Sequence, residues 1–109
     1  MGFFKKAFQK NVTRDNHFFK NTAVKMNALM RYTEENEKVT EALQALQHDF
    51  QYTVATPDKK AKKSEDNIDK MYDELKAILQ QPEWDEQQVL LLIKNIGAEL
   101  DEISAMRRA

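Results

Sequence analysis

The chain has 109 residues, of which 32% are charged, and its formal net charge at pH 7 is −1. A balance so close to zero provides no overall field that would favour nucleic acid, and the absence of cysteine excludes disulfides and thiolate metal sites. With only two glycines and two prolines among many helix-favouring residues, the composition predicts an all-α protein with one main domain.

Residues 1–14 form a basic, phenylalanine-rich segment that precedes a predicted helical bundle domain at residues 15–109. On a helical wheel the aromatic rings share one side and the lysines the other. This pattern is typical of a short amphipathic helix that folds onto its own domain, and also of a helix that lies in a membrane surface. The residues of the membrane hypothesis are Phe3, Phe4, Lys5, Lys6, Phe8 and Lys10. Because lysines interrupt the apolar run, we do not expect a secretory signal.

The stretch from residue 15 to residue 56 contains neither glycine nor proline, and apolar residues recur in it at alternating steps of four and three. Such spacing is typical of one helix with a coiled-coil seam. It predicts a single helix of about 40 residues, about 60 Å long. Asn36 interrupts the seam, either as a buried residue that sets register or as a partly exposed one.

Two prolines, Pro57 and Pro82, predict breaks that divide the remainder into a C-terminal helical hairpin. The stable part of the third helix is expected to begin at a Ser64 cap, behind four lysines that oppose the helix dipole. The predicted inward face of the fourth helix is Val89, Ile93, Ile96, Leu100 and Ile103. Together these elements predict a small antiparallel helical bundle.

The fourth helix also carries a second stripe, formed by Trp84, Leu91, Ala98 and Ala105, on the side away from its predicted core face. Gly97 lies beside this stripe, in mid-helix, where glycine costs about 1 kcal/mol relative to alanine. Two interpretations stand side by side. Either another helix approaches closely here, or the fourth helix is central and is buried on two sides by its own chain.

The difference in length between the predicted long helix and the two C-terminal helices suggests a function. The two C-terminal helices, roughly 18 to 25 and roughly 24 residues long, are too short to cover a helix of about 40 residues, so the first half of that helix would remain uncovered. The predicted partner-binding residues are Phe18, Phe19, Met26, Leu29, Met30, Tyr32, Trp84 and Leu91. The sequence therefore predicts a non-enzymatic helical interaction or assembly module that self-associates as a homo-oligomer, and the membrane-surface protein is the alternative.

No motif in the sequence points to catalysis. The two histidines, His17 and His48, are far apart on the predicted polar side, no Glu-x-x-His pair occurs, and there is no glycine-rich phosphate loop. We therefore expect no enzyme activity, no cofactor or metal site and no nucleic-acid partner. The expected location is the cytoplasm, with membrane association if residues 1–14 dock on lipid.

Overall fold

A computed structural model of the chain describes residues 17–53 and 59–108. Within these ranges the protein is helical and contains no strand, so the all-α prediction is confirmed. The helices are α1 at residues 17–29, α2 at Glu37–Tyr52, α3 at Lys59–Leu79 and α4 at Glu86–Arg108; a 3-10 turn occupies Met30–Tyr32. The predictions for residues 1–14 and for the break at Pro57 lie outside the described residues.

The prediction of one helix of about 40 residues is wrong. The chain leaves α1 after Leu29, passes through the 3-10 turn and begins a new helix at Glu37. Among the described helices, α4 is the longest, with 23 residues. The difference in length that suggested an uncovered half of a long helix therefore does not exist.

Side-chain hydrogen bonds to the backbone close this turn. The buried Thr33 places its hydroxyl 3.2 Å from the carbonyl oxygen of Met30, and the Thr40 hydroxyl donates to the carbonyl of Thr33 at 2.6 Å. Asn36 is the N-cap of α2, where its Oδ1 accepts from the N–H of Val39 at 3.1 Å. Threonine and asparagine side chains disfavour a continuous helix because they can form such local hydrogen bonds with the backbone. The spacing of apolar residues along the sequence gives no indication of these bonds.

Two contacts show that α2 and α4 run in the same direction. Asn36 Nδ2 donates to Glu86 Oε1 at 3.0 Å, and farther along both helices Leu46 Cδ1 lies 3.9 Å from the Cβ position at Gly97. By contrast, α3 and α4 are antiparallel neighbours, with residues 80–85 between them. The fourth helix packs against both α2 and α3, but the side that carries Leu91, Ala98 and Ala105 is exposed, so the described residues do not bury that second side.

The first helix runs parallel to α3. Lys25 Nζ lies 4.3 Å from the centroid of the Tyr72 ring, and Gln80 Nε2 donates to the Tyr32 hydroxyl at 3.4 Å. The turn after α1 and the turn after α3 consequently lie at the same end of the bundle, which we call the turn end. His17, the first described residue of α1, lies at the opposite end.

All four helices contribute to the core, and α1 contributes as fully as the others. Phe19 and Met26 are 1% and 0% exposed. Burial of such side chains is worth about 1.5–3 kcal/mol each, so α1 belongs to the folded unit. The buried apolar residues are Phe19, Ala23, Met26, Leu29, Val39, Leu43, Leu46, Phe50, Ala61, Ile68, Tyr72, Leu75, Leu79, Val89, Ile93, Ile96, Leu100 and Ile103. The predicted inward face of the fourth helix is confirmed in full.

The third helix starts earlier than expected. It begins at Lys59, and Ser64 is a buried residue inside it rather than its cap. Lysines at a helix N-terminus oppose the dipole by only a few tenths of a kcal/mol each when they are exposed, so the packing of Ala61 and Ser64 outweighs them.

Candidate protein-binding surface

An open cleft of about 630 Å³ lies at the turn end, where the turn after α1 meets the turn before α4. One wall comes from the 3-10 turn and the residues that follow it, and the other comes from the segment around Pro82. The lining residues are Arg31, Tyr32, Thr33, Glu34, Glu35, Asn36, Pro82, Glu83, Trp84 and Glu86. Tyr32 and Trp84, which are 52 positions apart in the sequence, therefore lie in one site.

Hydrogen bonds between the two walls hold the cleft in shape. The Asn36 side chain caps α2 with its oxygen and bonds Glu86 with its nitrogen, so one residue fixes both a helix start and the contact between the turns. Asp85 precedes α4, and its Oδ1 accepts from the N–H of Gln87 at 3.3 Å, as an N-cap does. The walls are thus held by caps and by hydrogen bonds between the two turns, and Tyr32 and Trp84 contribute half-buried rings to the lining.

Negative charge dominates the cleft. Four of its residues are glutamates, namely Glu34, Glu35, Glu83 and Glu86, and Arg31 is its one cationic lining residue. The Arg31 side chain lies over the Tyr32 ring and donates to the Tyr32 hydroxyl at 3.1 Å. Hydrogen bonds from Gln80 and from Arg31 lower the pKa of Tyr32 from its usual value. Such a site attracts cationic groups and offers two aromatic rings for them to pack against.

The outward face of α4 continues from this cleft along the bundle. Leu91, two turns beyond Trp84, is 57% exposed, and Ala98 and Ala105 are also exposed. We call the row of Trp84, Leu91, Ala98 and Ala105 the α4 stripe. Although about a third of the chain is charged, the α4 stripe is uncharged and small or apolar throughout. Trp84 belongs both to the α4 stripe and to the cleft, so the two form a continuous surface.

The structure separates the predicted partner-binding residues into two groups. Tyr32 and Trp84 line the cleft, and Leu91 lies on the adjoining α4 stripe. The others are in or beside the core: Phe19, Met26 and Leu29 are buried, and Phe18 and Met30 are half-buried. The residues of the membrane hypothesis lie outside the part of the chain that the structure describes.

The glutamates of the cleft were missed as a site by sequence reasoning. Glu34 and Glu35 form one acidic pair, and Glu83 and Glu86 form another. The available signal was the proximity of both acidic pairs to chain breaks. It indicates a site only once both breaks are known to lie at the same end of the bundle.

Two features, a cluster of metal ligands and a helix able to span a membrane, are absent from the described residues. Among residues 17–53 and 59–108, no group of three or more histidine or acidic side chains is arranged to hold a metal ion. No helix in these ranges combines the length and the apolar character needed to cross a bilayer.

Comparisons with known proteins identify no relative. No family model, curated protein or solved structure matches the chain.

Proposed function

We propose that the protein is a non-catalytic helical interaction module that self-associates through the cleft and the α4 stripe. The observation that carries the proposal is the continuity of two half-buried aromatic rings with a leucine that is 57% exposed in mid-helix. Because the predicted long helix does not exist, its uncovered half cannot support this function. The proposal depends on a different surface, of which Tyr32, Trp84 and Leu91 are members.

Physical reasoning favours binding over chemistry at this surface. Aromatic side chains are enriched at the energetically important centres of protein interfaces, and charged residues are depleted there. Trp84 has this character, and four glutamates line the same cleft. An exposed leucine in a helix is common by itself, but its alignment with a tryptophan and two alanines makes a strip that another helix or peptide fits.

Sedimentation velocity of the full chain over a range of micromolar concentrations tests this proposal. We expect the wild type to form larger species as concentration rises, and we expect Leu91→Arg to shift the distribution to the monomer. Val24→Arg is the matched control, because Val24 is 67% exposed on α1 and lies outside the proposed surface. Circular dichroism of each variant checks that the helices remain intact.

Each possible outcome of the sedimentation experiment leads to a different conclusion. Loss of association in Leu91→Arg alone supports the proposed surface. A wild type that stays monomeric at every concentration contradicts self-association, and equal effects of the two arginine substitutions contradict the location of the interface.

A further inference from the structure

We propose that the occupant of the cleft is the basic aromatic segment of a second copy, residues 1–14. The inference rests on the proposed function and names the partner element for the same surface. It unites two features of one chain that complement each other: a cationic, phenylalanine-rich sequence and an anionic cleft with aromatic walls.

Charge complementarity is the first argument. Residues 1–14 contain Lys5, Lys6, Lys10 and Arg14 and no acidic residue, whereas the cleft contains four glutamates and Arg31. Opposite charges on two surfaces speed their encounter and fix their relative orientation, and they disfavour partners of the wrong sign. The segment and the cleft therefore have the signs that association requires.

Apolar complementarity is the second argument. Phe3, Phe4 and Phe8 would share one side of a helical segment that meets the cleft, with lysines on the other side. The cleft offers Tyr32 and Trp84 in its lining, and Leu91 continues the apolar strip beyond it. Aromatic pairs contribute beyond the area they bury, and cations gain from the face of a tryptophan or tyrosine ring.

The position of α1 favours a second copy over the same chain. Residue 17 lies at the end of the bundle opposite the turn end, about 20 Å away along the 13 positions that separate it from Met30. To place its own Phe8 in the cleft, a chain would have to run residues 9–16 back along the bundle in a largely extended form, because eight residues span about 26 Å when extended but only about 12 Å as a helix. A neighbouring molecule has no such restriction. Because the contact joins two different surfaces, two copies can exchange their segments reciprocally and form a closed two-fold dimer, whereas a one-way contact extends to rings or open chains.

The test uses a fluorescent synthetic peptide of residues 1–14 titrated with the full chain, and follows fluorescence anisotropy. We expect saturable binding that weakens as salt is raised, because exposed charges are screened within a Debye length of about 8 Å at physiological ionic strength. A triple variant, Glu34→Gln with Glu35→Gln and Glu83→Gln, should weaken binding about tenfold. The matched control changes the same number of exposed acids far from the cleft, as Asp66→Asn with Asp101→Asn and Glu102→Gln, and should bind as the wild type does.

A second measurement uses the full chain alone. The variant Lys5→Glu with Lys6→Glu and Lys10→Glu should lose the larger species in sedimentation while it retains the cleft, so it should still bind the wild-type peptide. If Leu91→Arg abolishes association but the cleft and lysine variants leave it unchanged, the α4 stripe self-associates and the inference about the segment is wrong. If none of the changes affects association, both proposals are wrong.

Two further outcomes would overturn the inference in favour of another occupant. Peptide binding that appears only when the chain's own lysines are replaced would show that the segment occupies the cleft of its own molecule. Binding of the full chain to vesicles of phosphatidylcholine and phosphatidylserine, lost in the lysine variant while self-association persists, would instead assign the segment to a membrane surface.

Discussion

Replacement of Gly97 by alanine should stabilise the protein, although the residue lies in the packed middle of α4. A Cβ atom added there would meet Leu46 Cδ1 at 3.9 Å, which is ordinary van der Waals contact. None of the described residues has a positive φ, so the backbone does not require glycine at this point. Alanine is favoured over glycine in a helix interior by about 0.8–1.0 kcal/mol, and the added methyl group meets no steric cost. We therefore expect a gain of about 1 kcal/mol, or about 4 to 8 °C in melting temperature for a domain of this size.

Urea unfolding followed by circular dichroism measures this gain. Ala98→Gly is the matched control, because Ala98 is the next residue of the same helix and is exposed, so it should lose about the amount that Gly97→Ala gains. If Gly97→Ala destabilises the protein while Ala98→Gly behaves as expected, the added methyl group lies closer to Leu46 than 3.9 Å, and the contact between α2 and α4 requires glycine at this position.

Three further substitutions test the turn, the core and one charge. Asn36→Ala removes an N-cap and the bond to Glu86 and should lower the free energy of unfolding by about 0.5–2 kcal/mol. Asn27→Ala, at an exposed position of α1, should cost nothing, and equal effects of the two substitutions in urea unfolding would contradict the capping role. Met26→Ala should lower the free energy of unfolding by about 2–5 kcal/mol in the same assay, whereas a truncation at an exposed position of α1 should lower it by less than about 0.5 kcal/mol. If Met26→Ala costs no more than that control, α1 is not part of the core. Desolvation raises the pKa of Asp69 although Lys25 opposes the shift, so the native state holds this proton to higher pH than the unfolded chain does, and the contribution of this carboxyl to stability falls as pH rises above about 4. Asp69→Asn should therefore be more stable than the wild type near neutral pH, with the advantage disappearing below pH about 4. Urea unfolding at both pH values measures this difference, and a variant less stable than the wild type near neutral pH would contradict the reasoning.

The sequence alone determined the helical class, because it has few glycines and prolines and its apolar residues recur at helical spacing. It also determined the core side of α4: Val89, Ile93, Ile96, Leu100 and Ile103 follow one face without ambiguity. The same helical spacing places Leu91 away from this face, but the sequence left open whether the chain itself covers that side, and the structure leaves Leu91 57% exposed.

Only the tertiary structure decided where the long apolar stretch breaks. The hydrophobic pattern continues through residues 30–36 because α1 and α2 both face one core, so periodicity could not distinguish one long helix from two that fold back. The deciding interactions are a few local bonds of Thr33, Thr40 and Asn36, each worth about 1 kcal/mol, together with the packing that α1 gains beside α3. That fold also brings Glu34, Glu35, Tyr32 and Trp84 together, because proximity between distant turns depends on how the helices stack and not on any spacing along the chain.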